Sequence, residues 1–157
     1  MRSSRASRSS SDETAGLAAW FAALAGSWRL TRQASDGSYF AGKADFVADG
    51  ARGWLESEAG TFVTADGRQF AAGRQWRWRL TAGGVLDIAY PPPDERPYHR
   101  FAPQAEGGEW RGEAIHVCGA DRYLARYRLA ADMIEIIHHV SGPAKDYRLT
   151  GRFTRPG

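Results

Sequence analysis

The side chains able to do chemistry concentrate in one stretch, Gly112 to Leu129 (GEAIHVCGADRYLARYRL). It holds the only cysteine, one of four histidines, an aspartate and two tyrosines. Gly119-Ala120 divides it into two extended segments, the pattern of a hairpin. Alternate residues of a strand face the same way. Trp110, Gly112, Ala114, His116 and Cys118 therefore share one face, with Arg111 and Glu113 on the other. In the second segment Tyr123, Ala125, Tyr127 and Leu129 are set against Arg122, Arg126 and Arg128. If the arginines face water, an imidazole, a thiol and two phenols line one inner wall. An aromatic wall with a polar spot suits a small-molecule pocket. The same groups can also satisfy one another in a filled core.

The same residues could serve other chemistries. Cys118 could act as nucleophile with His116 as base, since residues i and i+2 of a strand lie roughly 6.5 Å apart, and Asp121 could orient the imidazole. No hydrolase motif surrounds them, and a lone buried cysteine usually behaves as a small hydrophobe. His116, Cys118 and His138 or His139 are zinc-type ligands, but their spacing is not that of a finger or a metalloprotease helix. Being adjacent, His138 and His139 cannot both face inward from a strand. No motif selects a haem ligand, so no metal or cofactor is expected. Lys145, one of two lysines, shares a face with Tyr147. It reads as an anion anchor at the pocket mouth or as an ion-pair partner of Glu58 or Asp121. Arg96 and His99 fall on a Pro-rich loop after Pro91-Pro92-Pro93 that could serve as a lid.

The elements that must position these residues follow from periodicity. Leu17, Trp20, Phe21 and Leu24 form one apolar stripe at helical spacing, with Asp12 as cap and Gly26 as stop, predicting a helix over 13–25. It carries no Lys or Arg, which favours core packing over a membrane surface. From residue 26 the period becomes two. Trp54, Glu56 and Glu58 share a face until Gly60 breaks the run, and Trp76, Trp78 and Leu80 alternate with Arg77 and Arg79. About nine or ten short strands, each ended by a turn and none followed by a helix, predict an all-β antiparallel meander over 26–155. Closure into a barrel would remove its edges.

The chain has 157 residues, 43% of them hydrophobic and 12% aromatic, which suits one domain over 12–157 with a ring-filled core. Arg2, Arg5 and Arg8 lie in an acid-free segment, and without them the net charge of +3 falls to zero. The body is therefore not a basic nucleic-acid binder. Residues 1–11 read as a disordered Arg/Ser-rich tail without the apolar core of a secretory signal. One cysteine excludes an internal disulfide, and no apolar run is long enough to span a bilayer. A cytoplasmic protein with no membrane or nucleic-acid partner is expected; the oligomeric state stays open.

Gly26-Ser27-Trp28, placed between the helix and the first strand, resembles the G-x-W opening of the calycin barrels, the lipocalin and fatty-acid-binding-protein superfamily. That resemblance implies an arginine of the last strand, Arg152 or Arg155, packed across Trp28. Several blocks together resemble the DUF6314 family of uncharacterised calycin-like proteins. They are Leu24-x-Gly26-x-Trp28, Gly42-x-Ala44-x-Phe46, Glu58-x-Gly60, Asp94-Glu95-Arg96-Pro97-Tyr98-His99, His116-x-Cys118-x-x-Asp121-x-Tyr123 and Gly142-Pro143-x-Lys145-Asp146-Tyr147. Glu56 departs from the pattern, where the resemblance implies an aromatic, usually tyrosine. The family supplies a barrel and no catalytic residue.

The leading expectation is a calycin-like barrel that binds a small hydrophobic or amphipathic ligand. His116, Tyr123 and Tyr127 would be polar anchors, with Cys118, Glu58, Trp76, Trp78 and Lys145 as further ligand contacts. The alternatives are a cofactor-free isomerase, lyase or hydrolase using His116 as acid/base with Tyr123 or Glu58, and a structural or partner-binding barrel filled by its tryptophans.

Overall fold

The computed structural model describes residues 10–156. Helix α1 (Ser10–Ala22) precedes eleven strands: β1 (Gly26–Ala34), β2 (Tyr39–Ala48), β3 (Gly53–Val63), β4 (Gln69–Leu80), β5 (Leu86–Ala89), β6 (Pro97–Phe101), β7 (Gln104–Glu106), β8 (Glu109–Cys118), β9 (Asp121–Leu129), β10 (Met133–Gly142) and β11 (Lys145–Thr154). They form one antiparallel sheet in the order β6-β5-β4-β3-β2-β1-β11-β10-β9-β8-β7. The first and last strands pair, Leu30 opposite Phe153, so the meander curls back on itself. The fold is the all-β antiparallel barrel that the alternation of the sequence predicts.

Three details differ from the sequence reading. The helix begins at Ser10, so Asp12 and Glu13 lie in its first turn, where carboxylates oppose the helix dipole favourably. The expected tail therefore loses residues 10 and 11 to the helix, and residues 1–9 lie outside the described ones. Gly60 does not end a strand. It faces Gly42 within the continuous β2–β3 ladder. A Cβ at Gly60 would sit 2.6 Å from the Gly42 Cα and 2.3 Å from the Ala41 carbonyl, so this close approach is available only to glycine. The barrel also does not close through backbone hydrogen bonds: β6 and β7 are the two edges of the sheet. The seam is sealed by side chains. Phe101 of β6 packs on Tyr127 with ring centroids 4.5 Å apart. Its ring also occupies the space over Gly112, where a Cβ would lie 2.1 Å from it.

The helix plugs one end of the barrel, as its single apolar stripe requires. Leu17, Trp20, Phe21 and Leu24 are buried in a core with Trp28, Phe46, Trp78, Leu129, Ile134 and Phe153. Indole hydrogen bonds fix the plug: Trp20 donates to the Ala130 carbonyl at 2.8 Å and Trp54 to that of Phe21 at 2.9 Å. Trp28 donates to the Leu24 carbonyl at 3.0 Å. Arg155 lies 3.9 Å above the Trp28 ring and donates to the carbonyls of Ala23 and Ala25. The arginine across the tryptophan is thus Arg155, and it clamps the helix exit to the chain end. Arg152 faces outward and bonds Glu135 at 2.8 Å.

Candidate functional site

At the level where the aromatic core ends, the inward faces of β1, β3 and β4 turn polar. Alternation carries Trp28 and Leu30 of β1 on to Arg32, brings Glu56 and Glu58 inward on β3, and precedes Trp76 and Trp78 with Arg74 on β4. Register places Glu58 opposite Arg74 and Glu56 opposite Trp76. Arg32 grips Glu58 with two parallel hydrogen bonds of 2.6 and 2.7 Å, and Arg74 adds a third of 2.9 Å. Such a forked pair is the strong form of a carboxylate contact. Both guanidiniums also lie on aromatic faces, Arg32 5.6 Å from Phe40 and Arg74 5.2 Å from Trp76.

These groups divide the open half of the barrel into two chambers. The inner one, about 30 Å³, is walled by Glu56, Trp76, Trp78, Tyr98, Tyr127 and His138, among others. The outer one, about 230 Å³, lies among Ser38, Tyr39, Phe40, Phe62 and Ala72. Arg32, Glu58, Arg74 and Leu149 belong to both walls. The partition is therefore an ion cluster with a long, 43% exposed arginine side chain, Arg74, on one side.

Electrostatics sets the protonation of the cluster. Glu56 is 1% exposed. Burial raises its pKa well above the ordinary value, and the Glu58 charge and a hydrogen bond to Glu58 push the same way. Glu56 therefore holds its proton more tightly than an ordinary glutamate. Burial also acts to raise Glu58, but the hydrogen bond and charge of Arg32, with Arg74, outweigh it and the net shift is downward. His138 is held down to about 4, first by burial and then by the positive charges of Arg74 and Arg32. His99 is held down to about 3 by burial and by His138 and His116. Burial raises Tyr98 and Tyr127. Glu58 is thus held as the anion between the cations Arg32 and Arg74.

The residues singled out in the sequence separate into three groups. Glu58, Trp76, Trp78 and Tyr127 lie in the chamber walls. His116 and Tyr123 face each other across β8 and β9, ring centroids 6.0 Å apart, half-buried. His116 lies 5.8 Å from the Tyr98 ring, at the rim of the inner chamber and outside its wall. Cys118 is exposed, because the β8–β9 turn ends at Asp121 beyond the packed interior. Lys145 is exposed and pairs with Asp121 at 3.2 Å, which leaves that carboxylate committed to the turn and not to His116. Glu58 is occupied by two arginines and offers little as a general base.

Alternation correctly predicts one inward histidine of the adjacent pair. His138 lines the inner chamber and touches Tyr98 (Oη to Nε2, 3.3 Å), while His139 points out to Asp146 at 3.0 Å. The outward arginines also hold, with Arg126 on Glu113 and Arg128 on Glu109. His99 is not on the Pro-rich loop. It is buried in β6 and hydrogen-bonded through Nδ1 to the Tyr127 hydroxyl. Arg96 is exposed, pairs with Asp94 and stacks 4.9 Å from Tyr90. Arg32, Glu56 and Arg74 were missed as site residues. Their signal was present: charged residues at positions whose strand neighbours two apart are large and apolar. Among the described residues, no three His, Cys, Asp or Glu side chains converge as a metal site.

The family comparison agrees with the blocks quoted from the sequence. Residues 24–155 match the family of unknown function DUF6314, and the chain belongs to that family. No curated protein matches it. Among solved structures, the crystal structure of Rv2717c from M. tuberculosis is similar with a TM-score of 0.63 at 13% identity, over 90% of this chain and 98% of that one. That likeness shows the barrel fold. The structure of EF1p2_mFAP2b bound to DFHBI aligns over 88% of this chain and 97% of its own at 16% identity and a TM-score of 0.46. Among the described residues no helix is long and apolar enough to cross a membrane.

Proposed function

We propose that the protein binds a small, largely apolar molecule carrying one polar group, with the apolar body in the outer chamber and the polar end directed at the inner one. The observation that carries this reading is the buried, incompletely satisfied polar cluster beneath a chamber walled by Phe40, Phe62 and Ala72. A purely structural barrel gains nothing from desolvating two glutamates and an arginine there, whereas a binding site needs a few convergent polar groups in an apolar cleft. The anchors in this reading are Glu56, Glu58, Arg32 and His138. Tyr127 supplies wall, and His116 and Tyr123 form the rim.

Native mass spectrometry of the purified chain, with extraction of any retained small molecule, tests the proposal. Ala72→Trp fills the outer chamber without touching the ion cluster's charges, and it should abolish retention while leaving the circular dichroism spectrum unchanged. Equal retention by a folded Ala72→Trp variant would place the ligand elsewhere and sink the reading.

A further inference from the structure

Two polar atoms in the wall of the inner chamber have no partner: Oε2 of Glu56 and the indole Nε1 of Trp78. Their residues are 1% and 2% exposed, so neither atom has access to bulk water. They face the same space because of register. Glu56 stands opposite Trp76, and Trp78 is the next residue of the same face of β4, a diagonal neighbour roughly 7–8 Å away. Native interiors seldom leave such atoms unmet, and here a donor and an acceptor are unmet together.

Their roles are opposite. An indole nitrogen only donates. The hydrogen bond between Glu56 and Glu58 engages the other carboxyl oxygen of Glu56, which leaves Oε2 as an acceptor. The chamber that both residues line has about 30 Å³ of free space, enough for a group the size of a hydroxyl. A single hydroxyl answers both, donating to Glu56 and accepting from Trp78. A carboxylate has no proton for Oε2. An ammonium has no lone pair for the indole and would enter the positive field of Arg32 and Arg74.

Resting on the small-molecule reading above, we propose that the polar end of the ligand is a neutral hydroxyl, of an alcohol or a phenol, seated between Glu56 and Trp78. Its apolar body lies in the outer chamber against Phe40, Phe62 and Ala72. The two chambers share Arg32, Glu58, Arg74 and Leu149. Arg74, partly exposed and held to Glu58 by one hydrogen bond, is the member that swings aside to join them. Arg32, held by two bonds and 13% exposed, stays.

Isothermal titration of the full chain with four matched probes decides the matter: 4-ethylphenol, 4-ethylanisole, 4-ethylbenzoate and 4-ethylbenzylamine. The phenol should bind, and the methyl ether, which cannot donate, should bind at least tenfold more weakly, on the order expected for leaving a buried acceptor unmet. The benzoate and the benzylamine should be weaker than the phenol. Trp78→Phe, with its fold checked by circular dichroism, should weaken the phenol and bring the phenol-to-ether ratio toward one. Equal binding of phenol and ether by the unaltered chain overturns the hydroxyl assignment while leaving a small-molecule site. Tighter binding of either charged probe overturns it too. A crystal structure with the phenol bound and a water between Glu56 and Trp78 also overturns it. Binding of none of the four overturns this proposal together with the reading on which it rests.

Discussion

The buried titratable groups make stability between pH 5 and pH 6 a readout of the site. In the unfolded chain a histidine gains its proton near pH 6.5 and a glutamate loses its own near pH 4.5. In the folded chain His99 and His138 stay neutral, held to about 3 and about 4. Their stabilising contribution is complete above pH 6.5 and is lost as pH falls toward those values. Glu56 works in the opposite sense. Its folded pKa is raised, so its contribution is complete below pH 4.5 and is lost as pH rises toward that folded value. Between pH 5 and 6, unfolding therefore takes up about two protons at the histidines and releases at most one at Glu56. Glu58, whose pKa is lowered, is largely ionised in both states. The net uptake makes stability rise by about 1–2 kcal/mol per pH unit. Urea unfolding followed by tryptophan fluorescence at closely spaced pH values measures this slope. Glu56→Gln removes the opposing group, and the slope should steepen to about 2 kcal/mol per pH unit. His138→Asn removes one histidine, and the slope should fall by about 1 kcal/mol per pH unit. A flat or falling slope in the unaltered chain, or an unchanged slope in Glu56→Gln, would refute the protonation scheme.

Two further predictions concern the ion cluster and the seam. Arg32→Leu strips Glu58 of its forked partner and leaves it only the Arg74 bond, so it should destabilise the fold by about 1–3 kcal/mol; combining it with Glu58→Leu should recover most of that loss in denaturant titrations, and failure to recover would show that the pair is not the coupled unit. Gly112→Ala drives a methyl into the Phe101 ring and should cost about 1–3 kcal/mol by overpacking, with Phe101→Leu as the compensating change. An unaltered melting temperature in Gly112→Ala would mean that β6 does not press on β8.

Much of the barrel was legible in the chain because strand alternation is a local property. Trp76, Trp78 and Leu80 against Arg77 and Arg79, and Tyr123, Ala125 and Tyr127 against Arg126 and Arg128, can be sorted into faces without any partner strand. The helix plug followed from one apolar stripe, and the Arg155–Trp28 clamp from the G-x-W resemblance. The extent of β3 was misread, because Gly60 looks like a breaker until Gly42 is placed opposite it.

What alternation cannot supply is depth. His116, Cys118 and Lys145 carry the same inward signal as Glu56 and Glu58, yet their part of the barrel stands toward its open rim and offers little to bury them. Only the curl of the sheet, with β1 paired to β11 and β6 folded against β8, decides which level of each strand meets the others. That curl brings Arg32, Glu58 and Arg74 from three strands into one contact. It also leaves the indole nitrogen of Trp78 and Oε2 of Glu56 without partners in residues that line one small chamber. The sequence by itself determined which way these side chains point. The tertiary structure decided which of them meet, because burial and pairing depend on neighbours distant in the chain.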